Sequence, residues 1–339
     1  MSLTYKKQRL YITFVISLMK SRRIIPTKTT NLRRAWLEKL GGLESISVKN
    51  KEWVTLLEED TRHSLMIEGY FVSRAEIKNV INNPQYNKEG YKILGYFDSA
   101  VSTYEFAFQQ YKTQEFNLTK ATIRQIHSMM FRGDPNFMYT PGDWRKGKVE
   151  IVGAQVKTSL TGNIDRDIDF LCKIANKPHG NLIRKVAIVH NMFEQIHPFP
   201  DGNGRVGRIL LNFILISHGL PNIAIKGFNK NRQEYIQALE QADPITHKIL
   251  KEKSLNAFSK PVILLEELIN TSLAHSMDIV ICNRYSQIKE LVSVADLAEK
   301  LGKSTQSVRV ACSQKKHICS EIDGKIKTHP DLLSEPDLN

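Results

Sequence analysis

Along most of this 339-residue chain, apolar side chains recur at intervals of three and four, the period of helices that bury one face. The clearest runs flank a short loop. Leu182, Ile183, Val186, Ile188, Val189, Met192, Phe193 and Ile196 predict a helix over 182–196, and Val206 to Ile216 repeats the pattern downstream. Pro198, Pro200 and Gly202 stop the first helix, and the second opens near Arg205. Further upstream, Trp53, Leu56, Leu57, Leu65 and Ile67 predict a helix ending at Gly69, where glycine suits a left-handed cap. Ser73-Arg74-Ala75-Glu76 then reads as a capping box that opens the next helix. The fold class is mainly α.

Strand-like alternation is confined to a few places. After the turn Thr140-Pro141-Gly142-Asp143-Trp144-Arg145, the run Val149-Glu150-Ile151-Val152-Gly153-Ala154-Gln155-Val156 is the best strand of the chain. One hairpin cannot build a sheet core, so its expected use is to expose an edge. Near the C-terminus, Pro261 to Cys282 is an apolar helical stretch, and Val292 to Arg309 fits two short helices around a Gly302 turn, with Ser304 as N-cap of the second. Asp323-Gly324 between Ile322 and Lys325-Ile326 marks a hairpin. This pattern predicts a winged helix-turn-helix in which Thr305, Gln306, Ser307 and Arg309 lead a recognition helix toward DNA. From Arg284 to Lys327 there are nine Lys or Arg against five Asp or Glu, a modest excess that fits protein docking or a homodimer contact better than DNA.

Charge and cysteine usage refine the picture. The net charge is +13, and residues 1–37 hold nine Lys or Arg and no acid, so the excess concentrates in a basic N-terminal extension. Within it, Leu10 to Met19 is too short to span a bilayer as a helix, and Ser21-Arg22-Arg23 offers no small-residue cleavage site. No membrane role is expected. Cys172, Cys282, Cys312 and Cys319 form no Cys-x-x-Cys pair, which points to a reducing, cytoplasmic setting.

The chemistry gathers in His197-Pro198-Phe199-Pro200-Asp201-Gly202-Asn203-Gly204-Arg205-Val206-Gly207-Arg208. His197 can take a proton near neutral pH, Asp201 can hold a hard cation such as Mg²⁺, and Arg205 and Arg208 can fork onto phosphate oxygens. Gly202, Asn203 and Gly204 lie where a helix begins, with backbone N–H groups open to an anion. These residues together describe phosphoryl or nucleotidyl transfer. Far upstream, Ser64 and Glu68 stand four apart on one helix face.

The stretch from His197 to Arg208 resembles the signature H-P-F-x-[DE]-G-N-G-R-x-x-R of the Fic family. That resemblance covers about Phe97 to Asp243 and implies a Fic-type helical bundle with a β-hairpin flap that transfers AMP from ATP to a Ser, Thr or Tyr hydroxyl of a target protein. It implies His197 as base, Asp201 as Mg²⁺ ligand, Gly202, Asn203 and Gly204 as anion cradle, and Arg205 and Arg208 as phosphate ligands, Arg208 at the γ-phosphate. Ser64 and Glu68 are similar to the inhibitory motif [ST]-x-x-x-E-[GN], in which Glu68 pairs with Arg208 and takes the place of the γ-phosphate. The segment Val149–Val156 corresponds to the flap that clamps the target. Arg232 to Leu239 resembles the nucleoside-side helix, with Tyr235 as its contact, although many members carry Tyr-Tyr where this chain has Tyr235-Ile236.

The expected organisation is a basic extension (1–45), an inhibitory-helix region (46–96), a catalytic core (97–245), a helical linker (246–283) and a winged helix-turn-helix (284–339). Two other readings stand beside adenylyl transfer. One is a DNA-binding regulator that uses the same fold as a nucleotide sensor, against which an intact His197 argues. The other is removal of AMP, with Glu68 orienting water.

Overall fold

The computed structural model describes residues 27–44, 50–84, 88–149 and 158–336. The apolar stretch Leu10–Met19 and most of the strand expected over Val149–Val156 lie outside them.

A buried helical hairpin forms the centre of the molecule. Helices α1 (Thr27–Lys39), α2 (Lys51–Ile67), α3 (Arg74–Asn82), α4 (Lys88–Thr113), α5 (Lys120–Met130) and α6 (Ile164–Asn176) precede it. The hairpin itself is α7 (Leu182–Ile196) and α8 (Asn203–Ile216). Every residue of α8 except Gly204 is buried, which its near-continuous apolar sequence requires. The helix opens at Asn203, two residues earlier than its apolar period indicates, because Gly202, at φ +78°, serves as its cap. Helix α4 and α5 pack on one side of the hairpin, α6 on another, and α9 (Asn229–Glu252) and α10 (Ile263–Tyr285) close the bundle against α7. Residue 245 falls inside the continuous helix α9, and α10 contributes Leu265, Ile269, Leu273 and Met277 to the same core as α7 and α8.

Helix α2 carries the Ser64–Glu68 pair and is firmly bounded. Asn50 caps its N-terminus by accepting from the Glu52 and Trp53 N–H groups, and it stops at Ile67 before Gly69 turns left-handed at φ +87°. The Ser73–Glu76 capping box opens α3 as the sequence indicates. Trp53, Leu57 and Ile67 join the main core, and Leu65 packs with Ile77 and Ile93.

The C-terminal unit consists of β1 (Val292–Ser293), α11 (Val294–Lys300), α12 (Thr305–Ser313), β2 (Ser320–Ile322) and β3 (Lys325–Thr328). Its strands form an antiparallel sheet in the order β1-β3-β2. Ile322 pairs with Lys325 across Asp323 and Gly324, both at positive φ, as the Asp-Gly turn predicts. Val294, Leu297, Val308, Cys312 and Cys319 give it a small core of its own. It is anchored to the bundle through a buried ion cluster. Arg33 of α1 donates to Asp278 of α10 at 2.7 Å and to the His317 carbonyl at 3.1 Å, and Lys315 donates to Asp278 at 3.0 Å. The four cysteines are free and buried.

Candidate active site

The turn between α7 and α8 is held open by its own side chains. Asn203 bridges it twice: its Oδ1 accepts from the Phe199 N–H and its Nδ2 donates to the Phe199 carbonyl, both at 2.8 Å. The Asn203 amide is therefore occupied in bracing the loop, and only its main chain is left for an anion. His197 caps α7 in the left-handed region at φ 50°. Its Nδ1 lies 3.1 Å from the Glu194 carbonyl, which can only accept, so Nδ1 carries the proton and Nε2 keeps a free lone pair. Burial lowers the His197 pKa and Arg145 adds to the effect, while the Glu194 bond, Glu68 and Asp201 oppose it. The imidazole is a neutral base at physiological pH.

Asp201 stays at the mouth of the site, its side chain 62% exposed, with one oxygen accepting from the Gly202 N–H at 2.6 Å. The Arg205 guanidinium is 3.5 Å from the other oxygen and stacks over Phe131. The Arg205 Nε is buried without a hydrogen-bond partner. Such an orphaned donor is costly unless a ligand supplies an acceptor. Beneath them, His127 of α5 accepts the Gly142 N–H on Nδ1 at 2.8 Å, so its Nε2 donates to the Asp201 carbonyl at 3.2 Å. The ring stacks on Phe199 at 3.8 Å, and burial lowers its pKa to about 4.

Helix α2 reaches this loop through a ladder of residues four apart. Arg208 donates through Nε to Ser64 Oγ at 2.7 Å, and through one terminal nitrogen to the Ser64 carbonyl at 3.0 Å and Glu68 Oε1 at 2.7 Å. One turn deeper, Asn212 donates to Asp60 at 3.2 Å, and the same carboxylate accepts from Tyr96 at 3.1 Å and Tyr104 at 2.5 Å. One turn outward, Gly204 makes room for Glu68: an added Cβ would lie 2.5 Å from Glu68 Oε1. Asp60, Ser64 and Glu68 on α2 thus meet Asn212, Arg208 and Gly204 on α8 in antiparallel order. Burial alone would raise the Glu68 carboxyl, but Arg208, joined by Arg205 and His197, outweighs it and holds the group below its usual value. Asp60, wholly buried, is pushed up to about 7.

Tyr235, expected at the nucleoside, is buried within the bundle. Its ring is 2% exposed and its hydroxyl donates to His190 Nε2 at 2.7 Å, because His190 Nδ1 is already committed to the Gly207 carbonyl. Position 235 lies on the inward face of α9. Gly207 lets α7 and α8 approach closely, since an added Cβ would strike the Glu194 carboxylate. In the C-terminal unit, Gln306, Ser307 and Arg309 are exposed and Thr305 is half-buried.

Three residues that hold the site together carry no role in the sequence reading. Asp60 continues the Ser64–Glu68 step by one more turn and was legible on that ground. His127 and Arg145 had no such signal, because their partners are main-chain groups, which no residue identity marks.

A neutral imidazole, an exposed carboxylate and two arginines gather at one buried helix N-terminus, a set suited to phosphate chemistry. The Fic/DOC family model matches residues 117–215. A probable protein adenylyltransferase of Aquifex aeolicus is 31% identical over 289 residues, 80% of this chain and 84% of that protein. The protein adenylyltransferase Fic of Drosophila melanogaster is 26% identical over 190 residues, 53% of this chain and 36% of that one. Among solved structures, a Fic-domain-containing signaling protein from Bacteroides thetaiotaomicron shares the fold with a TM-score of 0.64 at 20% identity, covering 76% of this chain and 97% of that one. Fic-1 from C. elegans does so with a TM-score of 0.56 at 18% identity, covering 81% and 77%. The chain belongs to the Fic/DOC family. It is a nucleotidyltransferase of the protein-adenylylating kind, and the reading of it as a DNA-binding regulator with a sensor core is not favoured.

Proposed function

We propose that this adenylyltransferase uses His197 as its general base and is held off by Glu68. The acceptor hydroxyl gives its proton to His197 Nε2, its oxygen attacks the α-phosphorus of ATP, and pyrophosphate leaves. The first turn of α8 cradles the phosphates, with Arg205 on the phosphate chain and Arg208 on the γ-phosphate. The orphaned Arg205 Nε supports an anion there. The exposed Asp201 carboxylate fits Mg²⁺, which favours one or two carboxylates plus substrate phosphates and keeps its remaining waters. When bound, the ion neutralises phosphate charge.

The observation that carries the regulatory reading is the 2.7 Å contact between Glu68 and Arg208. While it lasts, the guanidinium is neutralised and a carboxylate faces the place of the γ-phosphate. Label transfer from α-³²P-ATP, native chain against Glu68→Gly, tests it. A rise in labelling supports autoinhibition, whereas equal labelling of both removes it. Loss of AMP release from adenylylated protein in Glu68→Gly would assign Glu68 to orienting water instead.

The acceptor is a protein hydroxyl brought in beside residues 149–156. For the C-terminal unit, the exposed Gln306, Ser307 and Arg309 at the start of α12 form a docking surface for a protein partner, with DNA as the second reading.

A further inference from the structure

The last four carbonyls of a helix have no partner within it. In α2 they belong to Ser64, Leu65, Met66 and Ile67. The Leu65 carbonyl accepts from the Glu68 and Tyr70 N–H groups and the Met66 carbonyl from that of Gly69, so the turn after the helix serves these two. The other two are served by arginines from distant parts of the chain. Arg208 of α8 donates to the Ser64 carbonyl at 3.0 Å, and Arg232 of α9 donates through Nε to the Ile67 carbonyl at 2.7 Å. The last turn of α2 holds no basic residue of its own, so the cations that favour a helix C-terminus come from α8 and α9.

The loop before α9 fits the same turn. An added Cβ at Gly227 would lie 2.5 Å from the His63 carbonyl oxygen and 2.8 Å from the Ile67 nitrogen, so glycine lets the loop lie flat on the backbone of α2. The Gly227 N–H donates to His63 Nδ1 at 3.3 Å. Gly227 and Arg232 thus hold α2 at both ends of its final turn, at His63 and at Ile67, and the next residue is Glu68. A Lys or Arg within α2 would serve for capping alone. The donor that is present instead ties the helix end to α9. That tie matters for Glu68, whose side chain is 32% exposed: an ion pair at the rim gains little unless the backbone beneath it is already fixed.

We propose that Gly227 and Arg232 form the seat of the inhibitory turn, with Arg232 a positioning residue that fixes the main chain at Ile67 and so keeps the Glu68 carboxylate against Arg208. The inference rests on Glu68 as inhibitor. Arg232 is exposed whereas Arg208 is buried, so the hold on α2 can be opened from the surface without disturbing the core.

Label transfer from α-³²P-ATP by full-length protein carrying Arg232→Gln or Arg232→Lys, each with Glu68 present and with Glu68→Gly, tests the seat. With Glu68 present, Arg232→Gln should label at least about threefold more than the native chain, since a charged hydrogen bond at the helix end is lost. The same substitution in Glu68→Gly should give no such rise, because no carboxylate is left to position. Arg232→Lys, which keeps a cation at the helix end, should fall between the native chain and Arg232→Gln. Amides 68–70 should exchange at least about threefold faster in Arg232→Gln while those of α8 stay protected. Native-like labelling in Arg232→Gln, a rise of equal size in both backgrounds, or unchanged exchange at 68–70 would overturn the proposal. Gly227→Ala, whose Cβ would push the loop off α2, is an independent check: a rise only with Glu68 present supports the seat, and native-like labelling refutes it. If Glu68→Gly alone raises labelling and Arg232→Gln does not, only the seat falls; if Glu68→Gly raises nothing, the inhibitory reading falls and the seat with it.

Discussion

Arg208 and Glu68 stand 140 residues apart in the chain and 2.7 Å apart in space. Only 3% of the Arg208 side chain is exposed, against 32% for Glu68, so the cation is fixed in the bundle while its carboxylate partner sits at the rim. That asymmetry suits a releasable clamp. The arginine is already shaped for an anion by Ser64, and the anion it holds is the one that can leave.

Replacing Glu68 by Gly should therefore increase labelling from α-³²P-ATP by about ten- to a hundredfold, equivalent to about 1.4–2.7 kcal/mol in the barrier. Because the Glu68 carboxyl is held below its usual value by Arg208, it stays ionised across neutral pH, and the ratio of variant to native activity should be flat there. A ratio near one at every pH would remove Glu68 as inhibitor.

His197→Ala should abolish labelling even in the Glu68→Gly background, with ATP affinity by calorimetry largely kept, since the imidazole serves the acceptor hydroxyl rather than the phosphates. Its pKa is lowered by burial, so the acid limb of the rate profile in Glu68→Gly should fall below the ordinary histidine value of about 6.5. Labelling that survives in His197→Ala would reassign the base.

Asp60 predicts an unusual slope of stability with pH. Its folded pKa, about 7, lies above the unfolded value, so the folded state keeps the proton across a window in which the unfolded state releases it. The stabilisation from this group is full in acid and declines as pH rises toward about 7, by at most about 4 kcal/mol for a shift of about three units. Asp60→Asn cannot ionise. Its melting temperature should match the native chain near about pH 4 and exceed it near about pH 7.5. A difference between the two proteins that stays constant over that range would mean Asp60 is ionised throughout.

If the start of α12 contacts DNA, Arg309→Ala should weaken retardation of duplex fragments by the full chain and flatten its dependence on salt. No retardation of any genomic fragment by the native chain at low salt would turn the exposed Gln306 and Arg309 surface toward a protein partner.

The residues of the chemistry were legible because they are local. His197, Asp201, Arg205 and Arg208 fall within twelve positions between two helices whose apolar period is unmistakable, so a linear reading finds both the loop and what it can hold. The Ser64–Glu68 step was legible for the same reason, one helical turn being a local distance. Which partner each group takes was decided only by packing. Asn203 has the right identity for an anion loop, but the tertiary structure spends its amide on Phe199. Tyr235 has the spacing of the nucleoside contact, and only the close packing of α7 and α9 sets its hydroxyl on His190. Asp60, His127 and Arg145 bond to tyrosines, a distant asparagine and backbone carbonyls, groups that every sequence contains and none advertises. Periodicity fixes which face of a helix is buried, whereas the register between helices, set by the fit of the whole core, selects which polar groups meet there.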